Sequence, residues 1–110
     1  MKTELLPDEF LIPMADVIRM IGHPQRLRIL EYLDLHGESP VGAIVEGVGG
    51  PQGAVSQHLS RGHYEQHLNR MRMAEIVVCR REGRQVLYRI GAVNAVTILN
   101  CLRSKYRSMQ

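Results

Sequence analysis

Apolar residues recur at helical spacing near the start of the chain. They follow one another at intervals of three or four residues with one adjacent pair, which places them on one face of a helix. Pro13 fits the first turn of a helix better than its interior, so we expect the regular helix to begin near it and to end at Gly22. The apolar stripe comprises Phe10, Met14, Val17, Ile18 and Ile21.

Two further helices and a turn follow. Pro24 predicts the start of a second helix, in which leucines recur at every third position, and Gly37 predicts its end. Ser39-Pro40 has the pattern of a helix cap and first residue, which predicts a third, short helix through Val48. Gly49-Gly50-Pro51 predicts a turn, and the segment after it predicts a helix with one apolar and one polar edge.

The second half of the chain predicts a β-hairpin and a last helix. Residues 76–90 have the pattern of two strands on either side of a charged tip at Glu82-Gly83-Arg84, with side chains alternating between the two faces. The last helix is predicted from about Ala92 to Tyr106. Its apolar stripe comprises Ala95, Leu99, Leu102 and Tyr106. The order of elements predicts a mostly α fold with a small β-hairpin (α+β), a winged helix-turn-helix, as a single domain over residues 1–110.

Composition narrows the class of protein. The chain has 110 residues, 45% of them hydrophobic, as expected for one globular domain. It contains no apolar run of about 18 residues and no apolar stretch at its start, so we expect no membrane span and a cytoplasmic location. Two cysteines do not make a disulfide framework. No catalytic constellation or phosphate loop is evident, so we predict neither an enzyme nor a cofactor.

Charge is distributed unevenly along the chain. Residues 1–60 contain four Lys and Arg against eight acids, a net charge of −4, whereas residues 61–110 contain ten Lys and Arg against three acids, a net charge of +7. A one-sided positive field suits a phosphate-binding surface, although a solvated basic face explains the charge alone equally well.

The polar edge of the helix after the turn offers side chains that can read DNA bases. Glutamine pairs with adenine and arginine with guanine in the major groove, and a basic hairpin beside that helix can contact phosphates. The predicted DNA-binding residues are Gln52, Ser56, Gln57, His58, Ser60, Arg61, Arg81 and Arg84. For Arg80 and Arg89 individually, the alternative is a solvated position on the hairpin.

Several motifs together resemble those of ArsR/SmtB-type repressors. They are Gly22-His23-Pro24-Gln25-Arg26-Leu27-Arg28-Ile29-Leu30, Ala54-Val55-Ser56-Gln57-His58-Leu59, Arg72-Met73-Ala74-Glu75-Ile76-Val77 and the wing from Arg81 to Ile90. The resemblance covers roughly residues 13–106. It implies a homodimer that binds double-stranded operator DNA and releases it when an inducer, frequently a metal ion, binds.

A short repeat departs from the family pattern. Gln57-His58-Leu59-Ser60-Arg61 recurs nine residues later as Gln66-His67-Leu68-Asn69-Arg70, as expected of a tandem duplication. Nine residues make about 2.5 helical turns, so Leu59 and Leu68 would face opposite sides of one unbroken helix. We therefore expect an interruption near Arg61–His63, with Gly62 as its most favourable position.

The first and last helices carry more apolar surface than a small helix-turn-helix core can cover. Exposed apolar stripes mark interfaces, so we predict a homodimer formed by these two helices. The predicted interface residues are Val17, Ile18, Leu99, Leu102 and Tyr106. The alternative is that both stripes pack only within their own domain.

Two other residue pairs have weaker functional interpretations. Cys79 and Cys101 are small enough to pack in the core, the usual role of free cysteine, but an exposed thiolate would suit a thiol sensor. His63 and His67 have the spacing of two metal ligands on a helix, but no third ligand is evident. We therefore predict no metal site and expect these histidines to be exposed or to face DNA.

The sequence thus predicts a homodimeric repressor that binds a palindromic operator. The alternative is a winged-helix module that binds protein, with DNA reading altered or lost through the repeat.

Overall fold

The computed structural model describes residues 4–48 and 61–110. Five helices and three short strands follow one another in these two ranges. The helices are α1 (Asp8–Ile21), α2 (Pro24–His36), α3 (Val41–Val48), α4 (Arg61–Met73) and α5 (Val93–Ser108). The strands are β1 (Ser39–Pro40), β2 (Val77–Glu82) and β3 (Gln85–Ile90). The predicted mixture of helices with a small β-hairpin is confirmed.

The three strands form one antiparallel sheet in the order β1-β3-β2. β2 and β3 are joined by the two-residue loop Gly83-Arg84, and Gly83 has a φ of 62°, a left-handed conformation that glycine adopts without steric cost. Ser39-Pro40 forms β1 and pairs with Tyr88 and Leu87 rather than starting the third helix, which begins at Val41. The prediction of a helix start at Ser39-Pro40 was therefore wrong, because these residues extend the sheet.

The first helix begins earlier than the sequence pattern predicted. α1 starts at Asp8 and contains Pro13, whose ring nitrogen cannot donate the helical hydrogen bond to Glu9. The N–H groups of Phe10 and Leu11 both donate to the carbonyl of Pro7 at 3.0 Å, and the two acids of the first turn suit the positive end of the helix. The favourable helix start offsets the lost internal bond, so Pro13 does not define the boundary.

The core lies where α4 meets α2, α3 and the base of the hairpin. α4 buries one face through Tyr64, Leu68 and Met71, which are at most 1% exposed. The steps of four and three residues between them are those of a single helical stripe. The rest of the buried cluster comprises Ile21, Ile29, Leu30, Leu33, Val41, Ile44, Val48, Ile76, Val77, Ala95 and Leu99.

The second copy of the repeat belongs to this core. α4 is continuous from Arg61 to Met73, so Gly62 does not interrupt it, and that part of the prediction was wrong. The glycine is tolerated because the buried stripe that follows it fixes the helix. Leu59 and the other residues of the first copy up to Ser60 lie outside the described residues.

The residues assigned to a dimer interface differ in exposure. Leu99 is 2% exposed and packs inside the core of its own chain, so its assignment to an interface was wrong. Val17 is half-buried against the same core. Ile18, Leu102 and Tyr106 are 54%, 45% and 64% exposed and remain available to a partner.

We expect Leu68→Ala to lower the free energy of unfolding by about 2–5 kcal/mol, because it leaves a cavity at a fully buried position. The matched control is Leu35→Ala, since Leu35 is 72% exposed on α2 and its truncation should change stability by less than about 0.5 kcal/mol. Urea unfolding followed by circular dichroism measures both. Equal effects of the two substitutions would show that Leu68 does not fill the core.

Candidate nucleic-acid interface

The tip of the hairpin presents two arginines to solvent. Arg81 lies near the end of β2 and Arg84 lies in the loop, and both side chains are exposed. Among the described residues neither forms a salt bridge, because the neighbouring Glu82 pairs with Arg80 at 2.9 Å. Both guanidinium groups can therefore contact an anionic partner without breaking an internal ion pair.

Arg80 has a different environment from the two tip arginines. Its Nε and Nη2 atoms donate to both carboxylate oxygens of Glu38 at 2.7–3.1 Å, which ties β2 to the residue before β1. Hydrogen bonding from Arg80 lowers the pKa of the Glu38 carboxyl, and the reciprocal bond raises the pKa of Arg80. Arg80 therefore acts as a support for the hairpin, a role that the sequence did not reveal.

Most of the predicted reading residues belong to the segment between α3 and α4. Gln52, Ser56, Gln57, His58 and Ser60 lie outside the described residues. Arg61 is the exception, and it is an exposed residue at the beginning of α4 as described. Its Nε lies 3.5 Å from Oε1 of Glu65, one helical turn away. An exposed pair of this kind contributes little to stability, so a phosphate can compete for Arg61.

A group of basic side chains joins α2 to α4. The Nε of Arg26 donates to Nδ1 of His67 at 3.1 Å, and Nη1 of Arg26 donates to the carbonyl of Met20 at 2.8 Å. The rings of His67 and His23 are 4.7 Å apart between centroids. Sequence reasoning missed this contact because Arg26 and His67 are separated by 41 positions and no local spacing relates them.

The position of His67 differs from the exposed or DNA-facing position that we expected. Its ring is half-buried, and desolvation lowers the pKa of His67, followed by the positive charges of His23, Arg26, His63 and Arg70. Since Nδ1 accepts a hydrogen bond from Arg26, the bond requires the neutral imidazole. Within the described ranges, no three histidine, cysteine or acidic side chains are grouped so that they could hold a metal ion.

Both cysteines are exposed. Cys79 lies on β2 and Cys101 on α5, so neither packs in the core as a small apolar residue, the more usual role of a free thiol. Their accessibility meets one requirement of a thiol sensor, but that role stays a prediction.

Five helices with a three-stranded antiparallel sheet have the arrangement of winged helix-turn-helix proteins, and comparisons with known proteins show similar regulators. A model described as "Bacterial regulatory protein, arsR family" matches residues 23–61. The chain is 34% identical over 85 residues to the HTH-type transcriptional regulator KmtR of Mycobacterium tuberculosis, which covers 77% of this chain and 58% of KmtR. The chain thus spans less than two thirds of the length of this relative. The resemblance of the sequence motifs to those of ArsR-type regulatory proteins is thereby confirmed.

Solved structures support the same fold. NolR from Sinorhizobium fredii superposes with a TM-score of 0.72 at 27% identity, covering 94% of this chain and 97% of NolR. A homodimeric winged helix-turn-helix DNA-binding domain from Mycobacterium bovis superposes with a TM-score of 0.71 at 22% identity, covering 99% and 93% of the two chains. In the ranges that the structure describes, no helix has the length and apolar character needed to cross a bilayer.

The environment of His67 predicts a pH-dependent stability. The pKa of His67 is lowered in the folded chain, whereas the pKa of a histidine in an unfolded chain is about 6.5. The unfolded chain therefore binds more protons as the pH falls, so stability should be lost from about pH 6.5 downward through the folded pKa. We expect His67→Gln, which keeps an acceptor for Arg26, to reduce that loss.

Thermal unfolding between about pH 8 and pH 5 measures the effect. His36→Gln, at the exposed end of α2, is the control and should follow the wild-type pH profile. A His67→Gln profile with the same slope as the wild type would show that His67 is not responsible.

Proposed function

We propose that this chain is a transcriptional repressor of the ArsR type that binds a palindromic operator in the cytoplasm as a homodimer. Similarity to regulators of the ArsR family supports regulation of transcription as the activity. The observation that carries DNA binding is the hairpin tip, where Arg81 and Arg84 are exposed and engaged in no salt bridge within the described residues.

Internal contacts divide the basic residues into two groups. Arg80 is committed to Glu38 and Glu82, and Arg26 is committed to His67 and a backbone carbonyl. Among the described residues, the guanidinium groups of Arg81 and Arg84 form no salt bridge and so can donate to a ligand. Phosphate contacts of this kind position a protein on DNA without reading its sequence. The segment from Gln52 to Ser60 would supply base contacts in this proposal, since it precedes α4 and carries the predicted reading side chains.

The dimer is proposed from exposed apolar side chains on α1 and α5. These two helices contact each other within the chain, yet Ile18, Leu102 and Tyr106 stay about half or more exposed. Further exposed apolar residues on α1 are Phe10, Leu11 and Ile12. A two-fold axis through this surface would bury the same apolar patch of both protomers. It would also present one hairpin to each half of a palindrome. The M. bovis domain with the same fold is homodimeric.

Replacing Arg81 and Arg84 together with Ala should weaken binding to all duplexes alike. Each lost phosphate contact should reduce the slope of log K against log salt by about one unit. Fluorescence anisotropy with the operator and with an unrelated duplex, at several salt concentrations, measures the slope.

The control for this experiment is Arg19→Ala on α1, where Arg19 is exposed and pairs with Asp16. It removes one positive charge from a surface that we do not assign to DNA and should leave the slope unchanged. An unchanged slope in the double variant would show that the hairpin does not touch the backbone. Absence of salt-dependent duplex binding by the wild type would favour the alternative function, a winged-helix module that binds protein.

Replacing Ile18 and Leu102 with Glu should convert the dimer into a monomer, because four charges would enter one apolar interface. Sedimentation velocity measures the mass. The control is Leu35→Glu, since Leu35 is exposed on α2 outside the proposed interface. A dimer that persists in the double variant would place the interface elsewhere.

A further inference from the structure

Five basic side chains meet where the start of α2 lies against α4. His63, His67 and Arg70 follow one another along α4 at steps of four and three residues, which places them on one face of that helix. Arg26 of α2 bonds to His67, and the ring of His23, the residue before α2, lies against the ring of His67. His23, His63 and Arg70 are exposed, whereas Arg26 and His67 are half-buried beneath them. We call these five residues the basic cluster.

The charges of the basic cluster are all of one sign. Arg26 and Arg70 form no salt bridge with any described acid. Desolvation lowers the pKa of His67, and the charges that lower it further are the positive ones of His23, Arg26, His63 and Arg70. Desolvation and then the charge of Arg70 lower the pKa of Arg26 in the same way. Since like charges held together repel, an anion placed among them would stabilise the cluster.

Hydrogen bonds within the cluster fix which ring nitrogens can donate. Nδ1 of His67 accepts from Nε of Arg26, and Nδ1 of His23 accepts from the backbone N–H of Gln25, both at 3.1 Å. A neutral imidazole that accepts at Nδ1 carries its proton on Nε2, so both rings have an Nε2–H donor. Arg26 also donates to the carbonyl of Met20 at 2.8 Å, which holds its guanidinium between α1 and α4.

We propose that the basic cluster is a binding site for a phosphate group. The exposed side chains of His23, His63 and Arg70 contact the anion, and the half-buried pair of Arg26 and His67 keeps the base of the site positive. Guanidinium and imidazole N–H groups suit this role because charge-assisted hydrogen bonds to oxyanions are the strong ones. The site shares no residue with the hairpin tip or with the proposed dimer interface.

Two sources can supply the phosphate group. One is the backbone of a bound duplex, because α4 begins directly after the segment proposed to read DNA. The other is a free phosphate compound. The site itself can be tested without DNA, so its outcome does not depend on the proposed repressor function.

Sulfate is the first probe, because it has the shape of phosphate and stays a dianion across the pH range in which histidine titrates. Nuclear magnetic resonance titration of the histidine rings of the full chain compares sodium sulfate with sodium chloride at equal ionic strength. A bound anion stabilises the protonated ring, so sulfate should raise the pKa of His67 relative to chloride by about 0.5 or more. His67→Gln identifies the signal. The ring of His36, at the other end of α2, should titrate alike in both salts.

Arg70→Gln and Arg72→Gln are a matched pair of variants. Both remove one positive charge from the exposed surface of α4, but Arg72 bonds to Asn69 and lies about 200° around the helix from Arg70. Arg70→Gln should weaken the binding of inorganic pyrophosphate, followed at fixed pH through the His67 ring signal, by about threefold or more. Arg72→Gln should weaken it much less. Circular dichroism establishes that each variant is folded.

A duplex added to the same sample separates the two sources. If the DNA backbone fills the site, the duplex displaces pyrophosphate, and Arg70→Gln reduces the slope of log K against log salt by about one unit more than Arg72→Gln does. Pyrophosphate that stays bound beside a bound duplex would assign the site to a free phosphate compound. A wild type that binds no duplex would contradict the repressor function, and the sulfate and pyrophosphate measurements would still decide the phosphate site.

Either of two results would overturn the phosphate site. One is the same His67 titration in sulfate and in chloride. The other is an equal loss of pyrophosphate affinity in Arg70→Gln and Arg72→Gln, which would show that only the net charge of α4 matters.

Discussion

Burial of one face of α4 is the constraint on which the other parts of the site depend. Tyr64, Leu68 and Met71 are fully buried, and α4 contacts α2, α3 and β2. A helix with one buried stripe has a fixed rotation about its axis, since turning it would expose apolar surface at about 25 cal/mol per Å². The rotation of α4 determines which side chains meet α2, which is why His67 contacts Arg26 and His23. It also sets where β2 starts, because Ile76 donates its N–H to the carbonyl of Met71 at 2.8 Å.

The same constraint explains how a nine-residue repeat can be accommodated. Two copies separated by about 2.5 turns cannot both direct their leucine into one core from a single straight helix. Leu68 of the second copy occupies the core, so the second copy carries the packing that joins α4 to the hairpin. The polar side chains of the first copy remain the ones proposed to read DNA.

Sequence periodicity predicted the elements well where a local signal was strong. Pro24 and Gly37 bound α2 as expected, and the alternation around Gly83 predicted the hairpin. Pairing across the sheet was not predictable in the same way. Ser39-Pro40 has the composition of a helix start, and only pairing with Leu87 and Tyr88 of β3, far along the chain, turns it into a strand. Local propensity is weak compared with a tertiary contact of this kind.

Contacts of side chains at the site were less predictable still. Arg80 and Arg81 are adjacent in a basic run, yet one pairs with Glu38 and the other has no ion pair in the described part of the chain. Leu99 and Leu102 lie on one predicted stripe, yet one is 2% and the other 45% exposed. Three residues turn a helix by about 300°, so neighbours on a stripe differ by about 60° in direction, enough to separate core from surface at its edge. Arg103, next to Leu102, pairs with Asp34 of α2 and fixes this edge of α5 against it. One helix can thereby pack on the core through Leu99 and leave Leu102 at the surface, while the Arg103–Asp34 ion pair joins the same edge of α5 to α2.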